Sequence, residues 1–165
     1  MHLALPTQRP LFKYLKSISL NYKNLDILEI GSGDEEKKQS VISIFNEANI
    51  FLQTDIKKEY KHTFLDITKH LEIKNKFDLV ICTNVLEHIF ETNLAIENLK
   101  KLVKKGGHLF VSVPLIYPLH DEPADYWRFT EHSLRVLFKE FEIIEFKKTG
   151  LRQFPTQYML LLELP

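Results

Sequence analysis

Cysteine is almost absent from this chain: Cys82 is the single one in 165 residues. One cysteine cannot close an internal disulfide, so a small scaffold stapled by disulfides is excluded. An excess of charge of one sign is also missing. Lys plus Arg number 22, Asp plus Glu number 22, and the formal net charge is zero. That balance argues against a nucleic-acid partner, because affinity for polyanions rests largely on cations that neutralise phosphates. No apolar run reaches the roughly 20 residues of a membrane-spanning helix. The N-terminal MHLALPTQRP lacks the basic stretch and apolar segment of a secretory signal. These absences predict a cytoplasmic protein with neither nucleic acid nor membrane as partner; they say nothing of its oligomeric state.

What is present is ordinary for a globular fold. The apolar share is 44% and the charged share 27%, enough for a sizeable core and too little charge for a disordered tail. With no repeat or linker visible, the expectation is one domain over residues 1–165, with 1–24 a cap or lid and 25–165 the core.

Glycine is scarce in an instructive way. Five residues in 165 is less than half the average usage of about 7%. Four fall in two clusters, Gly31 with Gly33 and Gly106 with Gly107, each beside a strand-like run. Apolar runs predict seven strands, at 25–30, 49–53, 63–67, 77–82, 108–113, 141–146 and 158–164. Helical spacing separates several of them: Val41, Ile44 and Phe45; Leu94, Leu99, Leu102 and Val103; Leu134, Leu137 and Phe138. Strands alternating with helices predict a mostly parallel α/β sheet, and a run such as Leu79-Val80-Ile81 suits a strand covered on both faces. Asp34, Glu35 and Glu36 favour a helix start. Lys100, Lys101, Lys104 and Lys105 before Gly106 favour a helix stop.

The run Leu-Asp-Ile-Leu-Glu-Ile-Gly-Ser-Gly from Leu25 to Gly33 reads as a strand entering a glycine turn. Such a turn exposes backbone N–H groups to an anionic or polar ligand, or is simply tight. Asp55 closes the second strand about 20 residues on, where a carboxylate can accept from ribose hydroxyls, and Asp66 closes the third. Either aspartate could instead be a cap or turn residue.

Taken in order, E-I-G-S-G, Asp55, L-D-I at 65–67 and F-D-L-V-I-C-T-N-V-L-E-H at 77–88 resemble a class I S-adenosylmethionine-dependent methyltransferase. The resemblance runs over about residues 25–146 and is to small bacterial methyltransferase-domain proteins. It implies a Rossmann-like, seven-stranded sheet of order 3-2-1-4-5-7-6 with strand 7 antiparallel and helices on both faces. It implies that Glu29, Gly31, Ser32 and Gly33 hold the methionine end of S-adenosylmethionine, that Asp55 and Ile56 meet the ribose, and that Asp66 and Ile67 meet the adenine. Thr83 and Asn84 would line the sulfonium. Where the family usually has a third glycine, this chain has Glu35. A dinucleotide fingerprint from Gly31 would need glycine at position 36, where Glu36 stands.

Acceptor chemistry is expected after strands four and five. His88 and His120 are candidate bases, since imidazole titrates near neutrality; packing on the sheet is the other reading of His88. The segment from Pro114 to Thr130 carries His120, Asp121, Asp125, Tyr126, Trp127 and Arg128. Asp121, Tyr126, Trp127 and Arg128 are candidate substrate contacts. A structural version pairs Asp125 with Arg128, packs the aromatics beneath the loop and uses Thr130 as a helix cap. Glu87, His88, His120 and Asp121 could in principle hold a metal, but no zinc-type spacing is present and none is expected. Asn84-Val85-Leu86 lacks the prolines of DNA-amine methylation motifs, and Cys82 lies in an apolar strand, so a small-molecule substrate is expected, with a hydroxyl of a sugar or glycan precursor as the candidate acceptor. The alternative is a non-catalytic cofactor-binding or partner subunit.

Overall fold

The computed structural model describes residues 8–34, 41–71 and 75–165. Seven strands form one sheet: β1 (Asp26–Ile30), β2 (Ile50–Asp55), β3 (Thr63–Phe64), β4 (Phe77–Thr83), β5 (Val103–Pro114), β6 (Glu142–Leu151) and β7 (Phe154–Glu163), in the order β3-β2-β1-β4-β5-β7-β6. The strands from β1 to β5 pair in parallel, whereas β7 is antiparallel to both β5 and β6. The expected order and the antiparallel seventh strand are therefore both present.

Strand alternation divides the core into two layers. Leu28, Val80, Leu109 and Val111 face one side, where they pack with Leu99 and Leu102 of α2 (Thr92–Leu102) and Leu134 of α3 (Glu131–Leu137). Ile27, Leu79, Ile81 and Phe110 face the other. There they meet α1 (Gln8–Ser19), whose Leu11, Tyr14, Leu15 and Ile18 repeat at helical spacing and are buried. This part of the expected cap or lid is thus a layer of the core. Fully burying such side chains stabilises by about 1.5–3 kcal/mol each.

Local departures have local causes. Val41, Ile44 and Phe45 lie in turns instead of a helix. Ile44 N donates to Val41 O and Ala48 N to Phe45 O, three-residue bonds in place of an α-helical ladder, although Val41 and Phe45 still reach the core. Glu35 and Glu36 of the expected helix start lie outside the described residues. Helix α2 ends at Leu102, well before Gly106, because Val103 pairs with Phe77 and begins β5. Lys104 Nζ is then held 2.9 Å from Asp78 Oδ2, and Gly106 N donates to Leu164 O. Strand β3 stops at Phe64, so Asp66 sits in a turn beyond it. Thr130 caps α3 as expected, accepting from Ser133 N in a capping box.

Candidate active site

The carboxyl ends of β1, β2, β4 and β5 share one edge of the sheet, and they carry two groups of polar side chains. The first begins at the β1 turn. Gly31 and Gly33 have φ of 69° and 68°, a left-handed backbone that side chains with a Cβ rarely adopt. Ser32 N donates to Thr54 O at 2.9 Å, which ties the turn to β2. The buried Asp55 carboxylate completes the tie: Oδ2 accepts from Gly33 N and Oδ1 from Lys57 N, each at 2.8 Å. Glu29 is buried too, its Oε2 accepting from Ser32 Oγ at 3.0 Å.

These residues fit S-adenosylmethionine by the chemistry of their donors and acceptors. Each Asp55 oxygen keeps acceptor capacity beyond its one backbone bond, Ile56 is exposed beside it, and the glycine turn brings backbone to the edge. Other expected contacts are assigned differently. Asp66 Oδ1 accepts from Thr68 N at 2.9 Å and Thr68 Oγ1 at 2.6 Å, the turn role. Ile67 puts its side chain into the core and its carbonyl accepts from Asn98 Nδ2 at 2.8 Å. Thr83 ends β4. Asn84, with φ of 53°, turns its Oδ1 towards Ser112 Oγ at 3.3 Å and Gln157 Nε2 at 3.0 Å, locking β4 to β5 and β7 rather than facing a ligand freely.

The second group lies beyond β4 and β5. A single 3₁₀ turn, Leu86–His88, follows β4 and puts Glu87 inward with its side chain at 0% exposure. Among the described residues neither Glu87 carboxylate oxygen has a hydrogen-bond partner. Burial pushes its pKa up to about 8; its own backbone N–H and the Arg128 charge oppose the rise, and the nearby Asp125 and Asp121 charges add to it. The His88 Nδ1 lies 2.6 Å from Ala124 O, and the His88 and His120 rings meet edge to face with centroids 4.7 Å apart. Tyr117 packs on the other side of His120 at 4.8 Å.

Arg128, a candidate substrate contact that the structural version pairs with Asp125, makes that pair and straps this loop. Its guanidinium donates to both Asp125 oxygens at 2.5 and 2.8 Å and to the carbonyls of Trp127, Tyr117 and Pro118. Its bond holds the Asp125 carboxyl well below the usual range. Asp125 also accepts from His120 N at 3.0 Å, so the ion pair positions the imidazole. Asp121, with φ of 52°, is an exposed turn residue outside the Glu87, His88 and His120 group. Tyr126 and Trp127 are half-exposed, as is Phe90, against which both pack at 5.6 Å. Phe90 and Trp127 border a groove of about 980 Å³ that continues past Phe129, His132 and Leu137. Sequence reasoning passed over Phe90 and Tyr117 and left Glu87 out of the catalytic set. The available signal for Glu87 was a carboxylate beside an imidazole immediately after a buried strand.

A seven-stranded sheet of this order, with a glycine turn after β1 and an acidic end to β2, defines the class I S-adenosylmethionine-dependent methyltransferase fold. A family model described as "Methyltransferase domain" matches residues 7–148, and the chain belongs to that family. Solved structures agree on the fold. N-methyltransferase NodS from Bradyrhizobium japonicum, in complex with S-adenosylhomocysteine, superposes with a TM-score of 0.72 at 18% identity, covering 97% of this chain and 88% of that one. The 1,6-didemethyltoxoflavin N1-methyltransferase of Burkholderia thailandensis gives 0.70 at 16% identity, covering 98% and 80%. Among curated relatives, the ubiquinone biosynthesis O-methyltransferase of Marinobacter nauticus is 31% identical over 62 residues, 37% of this chain and 26% of its own length. The hybrid PKS-NRPS synthetase gkaA of Penicillium citrinum is 27% identical over 97 residues, 59% of this chain and 2% of its own length. The chain therefore spans about a quarter or less of these curated relatives. No helix among the described residues is long and apolar enough to cross a membrane.

Proposed function

We propose that this chain transfers a methyl group from S-adenosylmethionine to a small-molecule acceptor, with a hydroxyl of a sugar or glycan precursor as the acceptor class. The observation that carries the reading is the pairing of the two groups on one sheet edge. A glycine turn braced by Asp55 lies on β1 and β2, and an acceptor-side cluster of Glu87, His88 and His120 lies beyond β4 and β5. The neighbours NodS and the toxoflavin enzyme are described with S-adenosylhomocysteine bound, which supports the cofactor half. The ubiquinone biosynthesis relative is an O-methyltransferase, which supports an oxygen acceptor, whereas NodS and the toxoflavin enzyme are N-methyltransferases.

When bound, S-adenosylmethionine supplies a sulfonium-activated methyl group. The chain's own contribution is alignment and exclusion of water. Asp55 would accept from the ribose hydroxyls, and Glu29, Ser32 and the glycine turn would face the methionine end. On the acceptor side, His120, aimed by Asp125, or His88, aimed by Ala124 O, would take the proton of the acceptor hydroxyl. The exposed Phe90, Tyr126 and Trp127 would cover an apolar or sugar face.

Calorimetry with S-adenosylhomocysteine, followed by methyl transfer to a panel of glycosides, phenols and amines, tests the reading. The expected result is product binding and methylation of a hydroxyl compound, with turnover lowered in His88→Ala or His120→Ala while product binding is kept. Binding without turnover on any acceptor would favour a non-catalytic subunit, and absence of binding would end the proposal.

A further inference from the structure

The geometry points to a divalent-metal site built from Glu87, His88 and His120, contrary to the expectation of no metal. One ligand atom from each of the three lies within 4.8 Å of the other two. Neighbouring ligands of a tetrahedral ion stand ~3.4 Å apart when metal–ligand distances are about 2.0–2.1 Å, so the three need only close inward slightly.

The tautomers favour an ion more than the distances do. The Nδ1 of His88 lies 2.6 Å from Ala124 O. A carbonyl only accepts, so Nδ1 carries the hydrogen and Nε2 presents its lone pair. That Nε2 is 3.9 Å from Glu87 Oε1, too far for a hydrogen bond and open enough for an ion between them. In His120, Nδ1 lies 3.1 Å from Pro118 O and 3.3 Å from Asp125 Oδ2. Both neighbours are acceptors, so here too the hydrogen is on Nδ1 and Nε2 presents its lone pair. Metal-bound imidazoles characteristically donate their second N–H to a carbonyl or carboxylate, and both histidines already do so. The third ligand is a fully buried carboxylate with no donor among the described residues. An unpaired buried carboxylate is costly to keep, and a cation would relieve that cost. Two imidazoles and one carboxylate suit zinc or another first-row divalent ion better than magnesium or calcium.

Metal binding is read from these side chains alone; that the remaining coordination position faces the acceptor oxygen rests on the methyl-transfer reading. An ion there would polarise the hydroxyl, doing by charge what a histidine base does by proton transfer.

The test is titration of chelator-stripped protein with Zn²⁺, with Mg²⁺ as the control ion, and the visible spectrum after Co²⁺ addition. About one equivalent of Zn²⁺ should bind. Glu87→Gln and His120→Ala should each weaken it at least tenfold and alter the Co²⁺ spectrum, whereas His70→Ala, an exposed histidine elsewhere, should leave both unchanged. Circular dichroism checks that the variants are folded, and Glu87→Gln keeps the shape of the side chain. No Zn²⁺ binding, or binding that both variants leave within twofold, overturns the metal site. S-adenosylhomocysteine calorimetry on the same samples separates that outcome from failure of the methyl-transfer reading.

Discussion

The two halves of the sheet edge are held in opposite ways. On the cofactor side the carboxylates are already employed: Asp55 grips two backbone N–H groups and Glu29 is bonded to Ser32. On the acceptor side Glu87 is as deeply buried, yet both of its oxygens lack hydrogen-bond partners among the described residues. A buried acceptor left unmade costs about 1–3 kcal/mol, more when charged. The first half is preorganised by its own backbone, whereas the second retains bonding capacity for something that arrives. Around that capacity the two-bond Asp125–Arg128 pair aims His120.

The largest effect should come from breaking that contact. Arg128→Ala leaves the Asp125 carboxylate, whose side chain is 1% exposed, without its cation. Removing one partner of a fully buried pair costs about 3–5 kcal/mol; because Arg128 is partly exposed, about 2–3 kcal/mol is expected here. Urea unfolding measures it, and a loss under 0.5 kcal/mol would show that the loop does not depend on the strap.

Next is Asp55→Ala on the cofactor side. Hydrogen bonds to a charged group contribute about 1.5–3 kcal/mol, so S-adenosylhomocysteine affinity should fall roughly 10- to 100-fold by calorimetry. An unchanged affinity would make Asp55 a brace for Gly33 and nothing more, erasing the functional half of the contrast.

The sharpest test of the contrast concerns pH. In metal-free protein the folded-state pKa of Glu87 is raised by burial from its ordinary 4.5 to about 8. The folded chain therefore binds a proton that the unfolded chain has released over this range, and stability falls as pH rises from about 4.5 to 8. Glu87→Gln should flatten that slope in thermal melts with chelator present. An unchanged slope would mean that Glu87 is not the uncompensated group proposed here.

Much of the cofactor half was legible in sequence because its logic is local. A buried strand runs directly into a glycine turn, an aspartate closes the next strand 22 residues beyond Gly33, and parallel pairing aligns the two strand ends. The contact at Asp66 is also local: Asp66 and Thr68 close a turn, and Ile67 packs in the core while its carbonyl accepts from Asn98 Nδ2 on α2. The acceptor half was legible only as a suspicious composition after β5. Whether Arg128 faced a ligand or Asp125 depended on loop closure, and the approach of His88 to His120 joins residues 32 positions apart.

Sequence by itself determined the strands, the glycine turn and the aspartate at the end of β2, because hydrophobic periodicity and backbone conformation are set by neighbours along the chain; the order of the strands in the sheet came only as what the family resemblance implies. Only the tertiary structure decided that α1 is a core layer, that Arg128 is a strap, and that Glu87 is buried with no hydrogen-bond donor among the described residues. Those facts depend on which distant groups meet. A carboxylate's charge, a guanidinium's partners and a histidine's tautomer are all set by such neighbours across space.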